Sequence, residues 1–100
     1  MSAFVVVNIT VEDAATYEEY RRMVPPSIAH FGGRYLARGG ATTVLEGDWQ
    51  PARLVIVEFP SADQTRAGWA SPEYAAAKAL RQRCSRADLV VVEGMPSPAA

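Results

Sequence analysis

Residues 30–49 read H-F-G-G-R-Y-L-A-R-G-G-A-T-T-V-L-E-G-D-W, and the parsing of this stretch decides the fold. Gly32-Gly33 close the helix before them, since glycine takes the left-handed geometry of a helix end without a Cβ penalty. Arg34 to Glu46 then alternates loosely, as a strand does, interrupted by Gly39-Gly40. A glycine pair inside a strand pattern predicts a bulge or sharp bend, so the stretch is expected to form one long, bent edge strand. Strict alternation puts Arg34, Leu36 and Arg38 on one face and Tyr35 and Ala37 on the other. Residues 47–51, G-D-W-Q-P, are turn chemistry. They lead into Arg53–Phe59, a strand with Leu54, Ile56 and Glu58 on one face and Val55, Val57 and Phe59 on the other. The two strands are expected to pair as a hairpin.

Upstream, Phe4–Val11 is β-branched and apolar on both faces, which suits a central strand. Asp13 is placed to cap a helix. In that helix Tyr17, Tyr20, Val24, Ile28 and Phe31 form one apolar face at helical spacing. Pro25 and Pro26 interrupt it, predicting a kinked helix or two short helices in line. Downstream, Ser61 with Gln64 three residues on is a capping box, and Trp69 should face inward from the helix it opens. Ser71-Pro72-Glu73 restarts the helix with proline at the first turn. A second stripe of Tyr74, Ala77, Leu80 or Arg81, and Cys84 runs to about Arg86. Ala87–Glu93 is the last strand. Residues 1–95 are expected to form a single domain and residues 96–100 a disordered tail.

Composition narrows the function classes. The 100 residues carry a net charge of −1, so the electrostatic footprint of a nucleic-acid-binding protein is missing. The single cysteine, Cys84, offers neither a disulfide nor metal-ligand spacing, and reads as a buried packing residue. No basic region precedes an apolar run at the start, and no apolar run reaches the ~18 residues of a membrane span. The expected location is the cytoplasm, with no membrane partner, metal or cofactor.

The order β-α-β-β-α-β with a middle hairpin is that of the ferredoxin-like α+β fold, an antiparallel sheet with its helices on one face. The other face would hold Phe4, Val6, Leu36, Leu54 and Ile56. That surface is too apolar for water, and a second copy of the chain is its simplest cover. The blocks F-G-G-R-Y-L-A-R-G-G, L-E-G-D-W, R-L-V-I-V-E-F-P-S, S-P-E-Y and V-V-V-E-G, in this order, also carry a resemblance. The chain resembles the domain-of-unknown-function family numbered 1330 over roughly Phe4 to Gly94. Through it the chain is similar to the dimeric α+β barrel superfamily, in which two ferredoxin-like sheets face each other. The resemblance implies the fold and a homodimer. It implies no settled activity, because the superfamily spans cofactor-free monooxygenases, muconolactone isomerases, small cyclases and haem-degrading enzymes. Many family members have a tyrosine after the tryptophan, where this chain has Ala70, a change that would widen or depolarise a pocket near Trp69.

Alternation predicts that Asn8, Arg38 and Glu58 share the open sheet face. A buried charge needs a partner, so Arg38 and Glu58 are expected to pair, either as a structural salt bridge or as a site. In the second case Arg38 holds a carboxylate or enolate oxygen while Glu58 shuttles a proton. His30 reads as a solvated helix-end residue or a general base at a pocket mouth. Trp69 and Tyr74, with Asn8, are the candidate substrate contacts, against a plain core role for the two aromatics. Tyr17 and Tyr20 read mostly as packing, and Arg81, Arg83 and Arg86 as a solvated face. Trp49, Leu36 and Ile56 are the expected dimer contacts, with Trp49 alternatively a lid. Three functions fit. One is a cofactor-free enzyme moving protons on a small metabolite by isomerisation, cyclisation or oxygenation. The others are a non-catalytic small-molecule binder and a purely structural homodimer.

Overall fold

The structure, a computed structural model, describes residues 1–96, so the tail predicted at 96–100 lies almost wholly outside the described residues. Strand β1 (Ala3–Val11) is followed by helix α1 (Ala14–His30), β2 (Arg34–Arg38), β3 (Leu54–Phe59), α2 (Ala62–Trp69), α3 (Pro72–Cys84) and β4 (Ser85–Glu93). The sheet runs β2-β3-β1-β4 with every neighbouring pair antiparallel. This is the ferredoxin-like α+β arrangement expected from the element order.

Local signals act where the sequence puts them. The Asp13 carboxylate accepts a hydrogen bond from Thr16 N, the Ser61 hydroxyl from Gln64 N, and the Ser71 hydroxyl from Tyr74 N. Each satisfies a backbone donor that a helix start leaves without a partner. Gly32, at φ 79°, ends α1 in the left-handed region. Pro25 and Pro26 do not break α1, which runs unbroken through both. Proline at 25 does remove the N–H that would bond the Arg21 carbonyl four residues earlier. That carbonyl instead accepts a 2.7 Å hydrogen bond from the Arg38 guanidinium, a partner brought by tertiary structure.

The stretch at 30–49 departs from its sequence reading in two ways. Strand β2 stops at Arg38, and residues 39–53 form no regular structure, so the expected continuation over Thr42–Glu46 is absent. Among the described residues no strand pairs with Thr42–Glu46, and Leu45 is 93% exposed. The bulge falls not at Gly39-Gly40 but earlier. Tyr35 pairs with Val57 and Ala37 with Ile56, leaving Leu36 as an extra residue. An extra residue turns every later side chain to the opposite face. Arg38 therefore lies opposite Val55 and belongs to the helix side of the sheet.

On that side Val5, Val7, Ile9, Val55, Val57 and Phe59 pack under Tyr17, Tyr20 and Val24 of α1 and Tyr74, Ala77, Leu80 and Cys84 of α3. The other side, with Phe4, Val6, Ile56, Val90 and Val92, has no layer over it among the described residues. Val90 is 59% and Val92 52% exposed. Among the described residues no helix is long and apolar enough to cross a membrane.

Candidate functional site

Helices and sheet do not close completely on one another. Between them lies a cavity of about 480 Å³, within the range of small-molecule sites. Valines 5, 7, 55 and 57 contribute its apolar floor, and Trp69 lines it from the end of α2 while remaining 46% exposed. Its polar lining is concentrated in two residue types. All four tyrosines, Tyr17, Tyr20, Tyr35 and Tyr74, border it, as do Arg21, Arg38, Arg66 and Arg81. Among the described residues no aspartate, glutamate or histidine does.

One polar cluster joins α1 to α3. The Tyr20 and Tyr74 hydroxyls share a hydrogen bond of 3.2 Å, and Arg81 Nε donates to the Tyr74 hydroxyl at 3.3 Å. Burial, reinforced by Tyr74, pushes the Tyr20 hydroxyl far above the ordinary tyrosine range, so it stays protonated. Burial works against the charge of Arg81, but the Tyr74 and Tyr20 hydroxyls outweigh it and the guanidinium is held above its usual value.

A second cluster lies where β2 meets α1. Arg38 is anchored on the Arg21 carbonyl, and its guanidinium carbon sits 4.5 Å from the centre of the Tyr35 ring. Burial raises the Tyr35 hydroxyl, with nearby Arg38 pulling the other way. Arg21 engages Glu18 through Nη1 at 3.1 Å, while its Nε is buried without a hydrogen-bond partner. Beside this cluster, Arg53 Nε donates to the Tyr17 hydroxyl at 3.0 Å.

The residues singled out by sequence divide between two faces. Arg38, Trp69 and Tyr74 meet at the cavity. Glu58 does not join them: it is on the open face, where Arg34 bonds it through Nε at 2.8 Å and Nη2 at 2.7 Å. The expected Arg38–Glu58 pair is thus replaced by Arg34–Glu58, because the bulge at Leu36 separates Arg38 from the face it would otherwise share. The bond from Arg34 holds the Glu58 carboxyl below the usual range. Asn8 is also outside the cavity, with Oδ1 accepting from Ala52 N at 3.0 Å, which fastens the 39–53 segment as it enters β3. His30, at the end of α1, lies 3.9 Å from Glu73 and does not line the cavity. Leu36 and Trp49 are exposed and Ile56 half-buried on the open side.

Sequence reasoning passed over Arg21 and read Arg81 two ways, as an alternative to Leu80 on the buried stripe and as part of a solvated face; at 6% exposure Arg81 belongs to the stripe. A signal for Arg81 existed: it follows Tyr74 by seven residues, two helical turns, and so falls on the same stripe. Tyr17 and Tyr20 read as packing, and do pack, but their hydroxyls belong to the polar lining.

The profile of a family described as a domain of unknown function (DUF1330) matches residues 2–95. No curated protein matches the chain. Among solved structures, a protein of unknown function from Rhodopseudomonas palustris superposes with a TM-score of 0.76 at 19% identity, covering 96% of this chain and 84% of that one. A dimeric ferredoxin-like protein of unknown function from Jannaschia gives a TM-score of 0.70 at 12% identity, covering 94% and 100%. SnoaB, a cofactor-independent oxygenase from Streptomyces nogalater, gives 0.68 at 16% identity, covering 99% and 98%. At these identities the likeness is one of fold.

Proposed function

The chain belongs to the DUF1330 family, and on that premise we propose that it is a homodimeric, cofactor-free enzyme that moves protons on a small metabolite held in the cavity between helices and sheet. One observation carries this reading. A cavity of small-molecule size is lined by arginines and tyrosines and, among the described residues, by no carboxylate or imidazole. Fixed positive charge in a poorly solvated space favours the anionic form of an acidic enol or phenol. The substrate's own ionisation then creates the reactive electron pair, and the protein need not supply a strong base. We assign the passing of a proton to the Tyr74 hydroxyl, a reading supported by its hydrogen bonds with Tyr20 and Arg81. Isomerisation, cyclisation and oxygenation of an enolate all begin from such an anion, and SnoaB, of similar fold, is a cofactor-independent oxygenase.

The second subunit covers the open sheet face. Val90 and Val92 lie there, and Val44, Leu45 and Trp49 of the 39–53 segment add further exposed apolar surface. Apolar area of this kind on a small domain is what an isologous interface removes from water.

Turnover is tested by incubating the protein with 1,3-dicarbonyl compounds and polycyclic phenols, following oxygen uptake and ultraviolet spectra. Wild type should convert at least one of them, and Tyr74→Phe should slow it while leaving binding in place. Ligands that bind and are recovered unchanged would sink the enzyme and favour the second reading, a binder without turnover.

A further inference from the structure

We propose that Arg81, flanked by the Tyr20 and Tyr74 hydroxyls, is the oxyanion seat of this cavity, and that its ligand is a flat aromatic alcohol bound as the phenolate, with the charged oxygen against that trio. The inference rests on the cavity being a ligand site and adds the ligand's chemistry and the groups that hold it. The three side chains are joined directly, Arg81 Nε to the Tyr74 hydroxyl at 3.3 Å and Tyr74 to Tyr20 at 3.2 Å. All three border the cavity, and exposures of 6% for Arg81, 8% for Tyr74 and 9% for Tyr20 leave each a little surface to offer.

Charge singles out Arg81 among the arginines of the lining. Arg21 and Arg66 pair with Glu18 and Asp63. Arg38 is half-buried, so water shares in solvating it. Arg81 is the most enclosed of the four and, among the described residues, has no carboxylate partner. A cation withdrawn from water is costly unless an anion meets it, and here the protein supplies none. Hydrogen-bond capacity points the same way. A guanidinium has five N–H donors and no acceptor, and each tyrosine adds an O–H. Among the described residues, the side-chain acceptors these donors meet are the two hydroxyl oxygens alone. One hydroxyl proton serves the Tyr20–Tyr74 bond, which leaves the other without an acceptor. No Arg81 nitrogen is sealed off without a partner, as Arg21 Nε is, so its spare N–H groups open onto the cavity. A surplus of donors around one spot suits an ionised oxygen, which only accepts. The tyrosine rings, Trp69 and the valine floor suit a flat aromatic body behind that oxygen.

The test uses 6-cyano-2-naphthol, whose ionisation is read from its absorbance, and its methyl ether, which has no proton to lose. Among the described residues no carboxylate or imidazole borders the cavity, so the titration follows the probe. Bound to wild type, the naphthol should ionise about one pH unit or more below its value in water, the anion binding about tenfold or more tightly than the neutral form. Arg81→Gln should abolish that shift while still binding the methyl ether, with circular dichroism checking its fold. Should that variant not fold, the Arg81 Nε–H resonance of wild type takes its place, and the naphtholate should move it well beyond any shift caused by the ether. An unshifted ionisation in wild type, a shift that survives Arg81→Gln, or an Arg81 resonance indifferent to the anion each overturns the oxyanion seat while the cavity reading stands. Binding of neither probe overturns both.

Discussion

Replacing Tyr74 by phenylalanine removes one oxygen atom and tests whether the polar cluster holds the helices together. In the wild type that oxygen accepts from Arg81 Nε at 3.3 Å and shares a 3.2 Å hydrogen bond with Tyr20. Its loss leaves two buried polar groups short of a partner. A hydrogen bond to a charged donor contributes roughly 1.5–3 kcal/mol and one between hydroxyls roughly 1 kcal/mol. Both distances are long, and the adjoining cavity can admit water to the stranded groups, so the lower part of that range applies. Tyr74→Phe should therefore destabilise the fold by about 1–2 kcal/mol, equivalent to a fall in Tm of roughly 5–15 °C for a domain of this size. Urea unfolding followed by far-ultraviolet circular dichroism, at one fixed protomer concentration, measures it. Tyr20→Phe and the double variant complete a cycle, and the two substitutions should couple by about 0.5–1 kcal/mol. Additive effects would mean that the hydroxyls do not interact. A Tyr74→Phe variant as stable as wild type would refute the reasoning altogether.

The protonated Tyr20 also makes stability depend on alkaline pH. Its folded pKa lies above the ordinary value of 10.0, so the unfolded chain releases the proton first as pH rises. The contribution is complete below about pH 10 and declines above it by up to ~1.4 kcal/mol per pH unit, a decline that Tyr20→Phe should lessen in urea titrations. At the end of α1, a Cβ on Gly33 would stand 2.6 Å from the Phe59 ring and 2.9 Å from Ile28 Cγ2. Gly33→Ala should cost about 1–3 kcal/mol by overpacking, and wild-type thermal stability would contradict that. For the dimer proposed above, Val90→Asp places a charge on the open sheet face and should shift sedimentation velocity from dimer to monomer with the circular dichroism spectrum retained. A variant that sediments as an unweakened dimer would move the interface elsewhere.

Element order, helix starts and the apolar faces of β1, β3, α1 and α3 could be read from the chain because each rests on neighbours a few residues away. Asp13, Ser61 and Ser71 cap helices through bonds to residues three positions on. Valines at alternate positions of β1 and β3 share a face by strand geometry alone. The candidate site was legible only in part. Tyr74 and Trp69 border the cavity, and Arg38 reaches it from the face opposite to the one expected.

That error has a single physical source. A bulge is a property of two paired strands, and nothing within R-Y-L-A-R shows that Leu36 will have no partner in β3. Only the pairing sends Arg38 to the cavity and leaves Glu58 to Arg34. The same holds for α1, where Pro25 reads as a break until Arg38, thirteen residues on, donates to the carbonyl that proline leaves bare. It holds again for Arg81, whose charge suggests solvent until the Tyr20 and Tyr74 hydroxyls are placed beside it. The sequence by itself determined which segments are helix or strand and which of their faces are apolar, since these follow from short-range periodicity. Tertiary structure alone decided which polar side chains enter the cavity, because their partners are distant in the chain and a shift of one residue reverses a face.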